Sequence, residues 1–455
     1  MNGDAYFRQN RNRHLDQLKE FLAIPSISAI SSHKEDVRRA AGWLANELQR
    51  IGMTRVEVME TGGHPVVYAE RLDQPGKPTA LVYGHYDVQP VDPLNLWETP
   101  PFEPTIRGEK LYARGASDDK GQVFMHLKVI EAILQTEGKL PVNLKLLIEG
   151  EEGIGSANLE RFVMAHQELL KADVVVISDT GLYARGVPSL TYALRGMADL
   201  EVHVTGAKSD LHSGLFGGAA PNAVQALVQL LATLHRPEGG VAVKGFYDQV
   251  RPLTLEERDS FAALGLDEQA YADELGVTAL PGEPGFSVLE RTWARPTLEL
   301  NGIFGGFQGE GTKTVIPAKA GAKITCRLVP DQDPEKVTDA IEAHLRAHCP
   351  PGVTLEVIRR AGAPACMTPI DHPSIRAAMA ALAEAYGKES RFIRTGGSIP
   401  VVATFSRTLG IPSVLMGFGL EDENFHAPNE HFNLENFDTG MRALYSYWFK
   451  LADAM

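Results

Sequence analysis

Residues 142–150 read VNLKLLIEG and run directly into EEGIGS at 151–156. The apolar run Leu146-Leu147-Ile148, closed by Gly150, predicts a buried strand over 142–150. That strand does not end in a plain turn. It ends in Glu149, Glu151 and Glu152, three carboxylates within four residues. Like charges held this close repel, and each resists ionising beside the others. The sequence therefore calls for something that holds negative charge at the end of a buried strand.

Working outward, the same style of segment recurs. Strands are predicted at TALVYGH (79–85) and ADVVVISD (172–179). DDKGQVFMHLKVIEAILQ (118–135) reads as a loop entering a helix. Residues 33–51 read as an amphipathic helix with Val37, Ala41, Leu44, Leu48 and Ile51 on one face. Strands alternating with helices imply βαβ units and a mostly parallel sheet. The pattern changes after about residue 187. A long strand at 190–206, a helix at 221–234, strands at 297–303 and 320–330, a helix at 333–348 and a strand at 353–360 follow in the order β-α-β-β-α-β. Between the first helix and second strand of this set, residues 235–296 form a Pro/Gly-rich, acidic excursion. A helix at 372–387 and a strand at 411–419 resume the first style. The expected architecture is an α/β domain (1–187 and 367–455) interrupted by an inserted α+β domain (188–366).

The bulk numbers exclude other classes. Acidic residues outnumber basic ones 58 to 44, a formal charge of -14. A nucleic-acid partner would leave a basic stripe, which this balance argues against. No stretch reaches the ~18 apolar residues of a membrane span, and the N-terminal segment has no signal-type apolar core; Leu15, Leu18 and Leu22 fall instead at helical spacing. A cytoplasmic protein is the expectation. Cys326, Cys349 and Cys366 are odd in number and contain no C-x-x-C pair, which disfavours a disulfide framework or a thiolate zinc site.

Ionisable residues collect at the predicted strand ends. His85 and Asp87 follow one strand, Glu151 and Glu152 another, Asp179 a third, and His426 lies just beyond a fourth; Asp118 and Asp119 stand at a helix entry. Open α/β sheets bind ligands at the carboxyl ends of their strands. Singly, each residue has an ordinary reading: a loop histidine, an N-cap aspartate, a solvated Glu-Glu pair. Together, two imidazoles and several carboxylates suit Zn²⁺ or Mn²⁺, and are too many for one tetrahedral ion. Two ions sharing a carboxylate fit the set, with one Glu on metal and its neighbour facing the attacking water as general base. Glu149, still inside the strand, is expected to be structural or to support a ligand.

The motifs GHYDVQP (84–90), LYARGASDDKG (111–121), EGEEGIGS (149–156), ISDTG (177–181) and NFHAPNE (424–430), in that order, resemble the M20 family of co-catalytic metallopeptidases. SDLHSGLFGG (209–218), KTVIPAKA (313–320), RLVP (327–330) and TGGSIP (395–400) are similar to its dipeptidase branch, the carnosine-dipeptidase-like enzymes. The resemblance implies a zinc-peptidase-like three-layer catalytic domain carrying a ferredoxin-like lid and dimerisation domain. It implies two divalent ions per subunit, Zn²⁺ first, with Mn²⁺ or Co²⁺ as alternatives. His85 and Asp179 would hold one ion, Glu152 and His426 the other, and Asp118 both. Glu151 would be the general base, and Asp87 would orient the His85 ring. A cis peptide is implied at Asp118–Asp119. His212 would reach the partner subunit's site in a homodimer and stabilise the oxyanion. Arg327 and Ser398 would take the substrate's carboxylate, with Thr314 a further contact. The implied reaction is hydrolysis of dipeptides or very short peptides. The rivals are another amide hydrolase of the same scaffold (an N-acyl-amino-acid deacylase, a desuccinylase or a carboxypeptidase) and a non-catalytic metal- or peptide-binding protein. No phosphate-binding glycine fingerprint stands where a strand enters a helix.

Overall fold

The computed structural model describes residues 3–397 and 399–455. The stretch quoted above forms the strand Asn143–Glu149, with Leu144 through Glu149 all buried. It pairs in parallel with Thr79–His85 on one side and antiparallel with Val66–Arg71 on the other. Thr79–His85 pairs in parallel with Val174–Ile177, which pairs in parallel with Ser413–Leu415. Four neighbouring strands thus point the same way, and their carboxyl ends share one edge. The sheet is mixed rather than parallel throughout: Arg55–Met59 and Val66–Arg71 form an antiparallel pair at one border.

The helix entered at 118 is Lys120–Glu137, and it packs against the helices Gly3–Leu22, Lys34–Ile51 and Leu434–Ala454. Every residue from Lys120 to Ile133 is buried, as expected of a helix with neighbours all round. Its entry places Asp118 and Asp119 beside the strand ends. The peptide bond between them is cis, as the resemblance implies.

The chain divides into two compact units. One comprises Met1–Tyr192, Thr368–Ile393 and Pro400–Met455; the other comprises Ala193–Met367 with Arg394–Ile399. The second holds a four-stranded antiparallel sheet in the order Thr297–Gly305, Lys319–Leu328, Gly196–Thr205, Thr354–Arg359. Alternation is strict along Gly196–Thr205, where every second residue is buried. Leu200, Val202, Ala322 and Ile324 share a core with Leu227 and Leu230 of the helix Ala223–Ala232 and Ile341 and Leu345 of the helix Pro334–His348. The expected β-α-β-β-α-β order is therefore present.

Two expectations change in detail. The single strand at 190–206 is two strands, Ser189–Leu194 and Gly196–Thr205, interrupted at Arg195. A Cβ at Gly196 would lie 2.4 Å from the carbonyl oxygen of Ala363; only glycine admits that approach. The excursion contains three short helices, Leu255–Ala262, Glu268–Leu275 and Val288–Trp293. Two of them begin with full capping boxes, Thr254 with Glu257 and Ser287 with Glu290.

Candidate metal centre

Each candidate ligand is delivered by the end of an element. His85 closes the strand Thr79–His85. Glu152 opens the short 3₁₀ turn after Asn143–Glu149. Asp179 lies two residues past Val174–Ile177. Asp118 precedes the helix Lys120–Glu137, and His426 sits on the loop that follows Ser413–Leu415. Asp118 lies between the two imidazoles: Nε2 of His85 is 3.0 Å from its Oδ1, and Nε2 of His426 is 2.7 Å from its Oδ2. The same His85 nitrogen is 3.7 Å from Asp179 Oδ2 and 3.8 Å from Glu152 Oε2. Donor atoms of His85, Glu152 and Asp179 all lie within 4.8 Å of one another. Ligands of one tetrahedral ion at ~2.1 Å are separated by about 3.4 Å, so these spacings suit a shared cation.

The electrostatics agree with that donor set. Burial, then the carboxylates of Asp118 and Glu152, push Asp179 up to about 7 against the pull of His85. Burial raises Glu152 as well, opposed by His85 and reinforced by Asp118. Burial would also raise Asp118, but its hydrogen bonds to His426 and His85 outweigh that and hold it below the usual carboxylate range. Among the described residues, no Lys or Arg forms an ion pair with Asp118, Glu152 or Asp179. Two imidazoles and three carboxylates short of positive charge are what divalent cations neutralise.

Around these residues lies a ring of buried carboxylates that fixes them. Asp87 is 3.3 Å from Nδ1 of His85, whose ring also meets the Asp87 carbonyl oxygen at 3.0 Å. Its carboxylate accepts the backbone N–H groups of Glu152 (3.2 Å) and Gly153 (3.0 Å), and the Ser28 hydroxyl at 2.5 Å. One side chain thereby orients a ligand imidazole and the turn bearing a ligand carboxylate. Asp119 accepts the His85 backbone N–H at 3.1 Å. Glu430, fully enclosed, accepts from Arg114 (2.8 Å) and from the backbone N–H groups of Gly115 (3.0 Å), Ser117 (3.1 Å) and Asp118 (3.1 Å). It ties the His426 loop to the loop that presents Asp118. Sequence reading passed over Glu430, although it closes the quoted motif NFHAPNE.

The three glutamates of the opening stretch separate cleanly. Glu149 accepts from the hydroxyls of Tyr83 and Ser156 (2.8 Å for the latter), and burial pushes its carboxyl up to about 8. It anchors the strand end. Glu151 is buried and has partners of its own: it accepts the His64 backbone N–H at 2.9 Å and the Asn158 amide at 2.9 and 3.2 Å. A Cβ on Gly63 would fall 1.7 Å from its Oε1, so a glycine at 63 makes room for the carboxylate. Gly150 and Gly153 likewise admit Tyr86 and Asp87, whose atoms a Cβ would meet at 2.5 and 3.1 Å.

Residues 81–450 match the profile of Peptidase family M20/M25/M40. The chain belongs to this family. It is 34% identical to the Cys-Gly metallodipeptidase DUG1 of Candida albicans over 96% of this chain and 94% of that protein. It is 32% identical to the human Beta-Ala-His dipeptidase over 98% of this chain and 92% of that protein. Among solved structures it is similar to Sso-CP2, an M20 family metallo-carboxypeptidase from Sulfolobus solfataricus, with a TM-score of 0.80, 34% identity and coverage of 97% of this chain and 99% of that one.

His212, Thr314 and Arg327 lie in the second unit of this M20 chain. His212 is exposed and accepts the Gly214 N–H on Nδ1 at 3.0 Å. It pairs across a two-stranded ladder with Val315, and Ser213 N–H donates to the Thr314 carbonyl oxygen at 3.1 Å. The fold thus joins His212 and Thr314, which are 102 positions apart in sequence (314 − 212). Arg327 stands opposite Thr297 and Met197 in its sheet. Ser398 lies outside the described residues. The three cysteines are unpaired, and among the described residues no helix is long and apolar enough to cross a membrane.

Proposed function

We propose that this M20 peptidase is a metal-dependent dipeptidase that hydrolyses the peptide bond of dipeptides or very short peptides. The observation that carries this reading is the convergence of His85, Asp118, Glu152 and Asp179 at neighbouring strand ends, with His426 on Asp118. The metallodipeptidases it resembles at 34% and 32% identity give the substrate class. The five residues would hold two divalent ions, His85 and Asp179 serving one, Glu152 and His426 the other, with Asp118 shared between them. Zn²⁺ suits the set best, with Mn²⁺ or Co²⁺ as alternatives. When bound, such ions polarise the scissile carbonyl and make the attacking water acidic at neutral pH.

The chain's own residues do the rest. Glu151, steadied by Asn158 and the His64 N–H, takes the proton of the attacking water and delivers it to the leaving amine. Asp87 keeps the His85 ring in place. Arg327, with its planar fork, and Ser398 hold the substrate's free carboxylate, and Thr314 contributes beside His212. His212 donates to the developing oxyanion in the partner subunit's site. This assigns residues 188–366 to lid and dimerisation, makes the protein a homodimer, and places it in the cytoplasm without nucleic-acid or membrane partners.

The likeness to a metallo-carboxypeptidase favours a second reading, removal of the C-terminal residue from longer peptides. One experiment separates them: metal-stripped protein, reloaded with Zn²⁺, Mn²⁺ or Co²⁺ in turn, is assayed on dipeptides, blocked N-acyl amino acids and longer peptides. Cleavage confined to dipeptides and the shortest peptides is expected. Preference for the longer or acylated substrates overturns it. Glu151→Ala is expected to retain both ions while kcat falls by about 10²–10⁴-fold; near-normal turnover removes Glu151 from the base role.

A further inference from the structure

The second unit encloses a cavity of about 610 Å³ between the end of its sheet and the excursion. Its walls are largely apolar, with Val241, Leu275, Val277, Leu280, Val288 and Leu298 facing it. Three arginines and two glutamates line it too, and they do not balance. Arg295 is consumed by a two-pronged pair with Glu283 at 2.7 and 2.6 Å. Glu299 is exposed. The Arg291 guanidinium donates to the Leu280 carbonyl oxygen at 3.0 Å. Arg195 donates through Nε to the Gly396 carbonyl oxygen at 3.3 Å; among the described residues its two terminal nitrogens have no hydrogen bond and no carboxylate within ion-pair distance.

A half-buried guanidinium without an ion-paired anion is costly, because its unbonded terminal donors lose water and gain no partner. Here burial, and then repulsion from Arg327, outweigh the attraction of the exposed Glu299 carboxylate and lower the Arg195 pKa to about 10. The position of Arg195 is equally specific. It falls in the break between Ser189–Leu194 and Gly196–Thr205. Thr297, another wall of the cavity, stands directly opposite Arg327 in the ladder.

We infer that this cavity binds a small carboxylate carried on an apolar body, with the free fork of Arg195 as its anchor and the aliphatic walls taking the body. The site is built from the second unit alone, and it stands whether or not the chain hydrolyses dipeptides. If it does, its substrates and its products are both carboxylates, and the test distinguishes which enters.

Isothermal titration of the metal-loaded, full-length protein with isocaproate and with the neutral 4-methylpentan-1-ol reads the site directly. Neither probe contains a bond the enzyme cleaves. The acid is expected to bind about tenfold or more tightly than the alcohol, and Arg195→Gln is expected to erase that difference. Ala279→Trp, at an exposed wall of the cavity, is expected to weaken both probes; it carries the test if Arg195→Gln does not fold. Equal binding of acid and alcohol, no binding of either, or acid binding that survives both substitutions overturns the inference, the last placing the acid elsewhere, such as on the metal ions. Where the acid binds, inhibition that raises KM for a dipeptide at constant kcat identifies the substrate's own C-terminal residue as occupant. A change in kcat identifies a separate ligand. Carboxylate binding without any hydrolysis defeats the functional reading alone, and hydrolysis without carboxylate binding defeats this inference alone.

Discussion

Glu131 and Glu47 lie on the helices Lys120–Glu137 and Lys34–Ile51, closed in by Arg13, Arg50 and Lys128; Asp118, Glu152 and Asp179 lie at the strand ends and the helix entry, where among the described residues their basic partners are the imidazoles of His85 and His426. The two clusters share one unit and even one helix, since Asp118 stands at the entry of the helix that carries Lys128 and Glu131. In the first, Arg50 reaches Glu131 at 2.6 Å and Glu47 at 2.7 Å, Lys128 reaches Glu131 at 3.0 Å, and Arg13 and Lys128 bond Glu131 and Glu47 in turn. Burial pushes Glu131 up, but the nearby His14 imidazole (3.9 Å), its bond from Arg13 and the charge of Lys128 outweigh that and leave it far below the usual range. In the second, burial is opposed only by the imidazoles of His85 and His426, which do not outweigh it, and Asp179 and Glu152 rise. Where a permanent network serves the fold, the sequence supplies its own cations. Where carboxylates are left short of charge, the cation comes from outside.

The largest effect that tests this contrast is on stability. Glu131→Gln leaves Lys128, Arg13 and Arg50 without the negative charge they share in a buried place, a change that costs about 3–5 kcal/mol. Chemical denaturation at pH 7 is expected to show that loss with metal stoichiometry unchanged. The sign of the pH dependence follows from the lowered Glu131 pKa. Ionised Glu131 stabilises the fold above the ordinary glutamate value of ~4.3. As pH falls below that value the unfolded chain takes up the proton first, so the gap between wild type and variant narrows. A gap that stays constant to pH 3 contradicts the assignment of Glu131 as a charged partner.

Next in size is Glu430→Gln. Four donors converge on this carboxylate, two of them the N–H groups of Ser117 and Asp118. An amide of the same shape accepts only on one side, so the loop that presents Asp118 loosens. Loss of such outer support typically costs about 10–100-fold in metal affinity, measurable by competition with a coloured chelator. Wild-type affinity in this variant would confine Glu430 to a structural role.

The sequence revealed the strand-end residues because strand direction is legible: an apolar run followed by His, Asp or Glu marks a carboxyl end without any tertiary knowledge. It also revealed the inserted sheet, because Gly196–Thr205 alternates and its helices carry ordinary start signals, such as Asp333 before Pro334. What it withheld depends on contacts between distant positions. Glu430 meets the Asp118 N–H across 312 residues, and no local pattern announces that. Helix periodicity marks Lys120–Glu137 as buried, yet does not say that Glu131 finds Arg13 while the Asp118 carboxylate finds two histidines. The excursion's helices are eight residues or fewer, shorter than the window in which periodicity is readable. Their capping boxes were the available signal.

The smallest effect is the one that most directly opposes the two clusters, because its sign should reverse between them. In metal-free protein Asp179 is a buried carboxylate beside Asp118 and Glu152. Asp179→Asn removes a repelling charge while keeping the side chain's shape. At pH 8 the metal-free variant is expected to be more stable than metal-free wild type by about 1 kcal/mol, the order of a single unfavourable charge contact at partial burial. The same change in the presence of Zn²⁺ is expected to do the opposite. Wild type gains the stability that metal binding confers on the folded state alone, and the variant, short of a ligand, gains less. Glu131→Gln shows neither feature: it is destabilising with or without metal. If metal-free Asp179→Asn is also destabilised, the strand-end carboxylates are satisfied by the fold itself, and the argument that their unbalanced charge is there for a cation loses its footing.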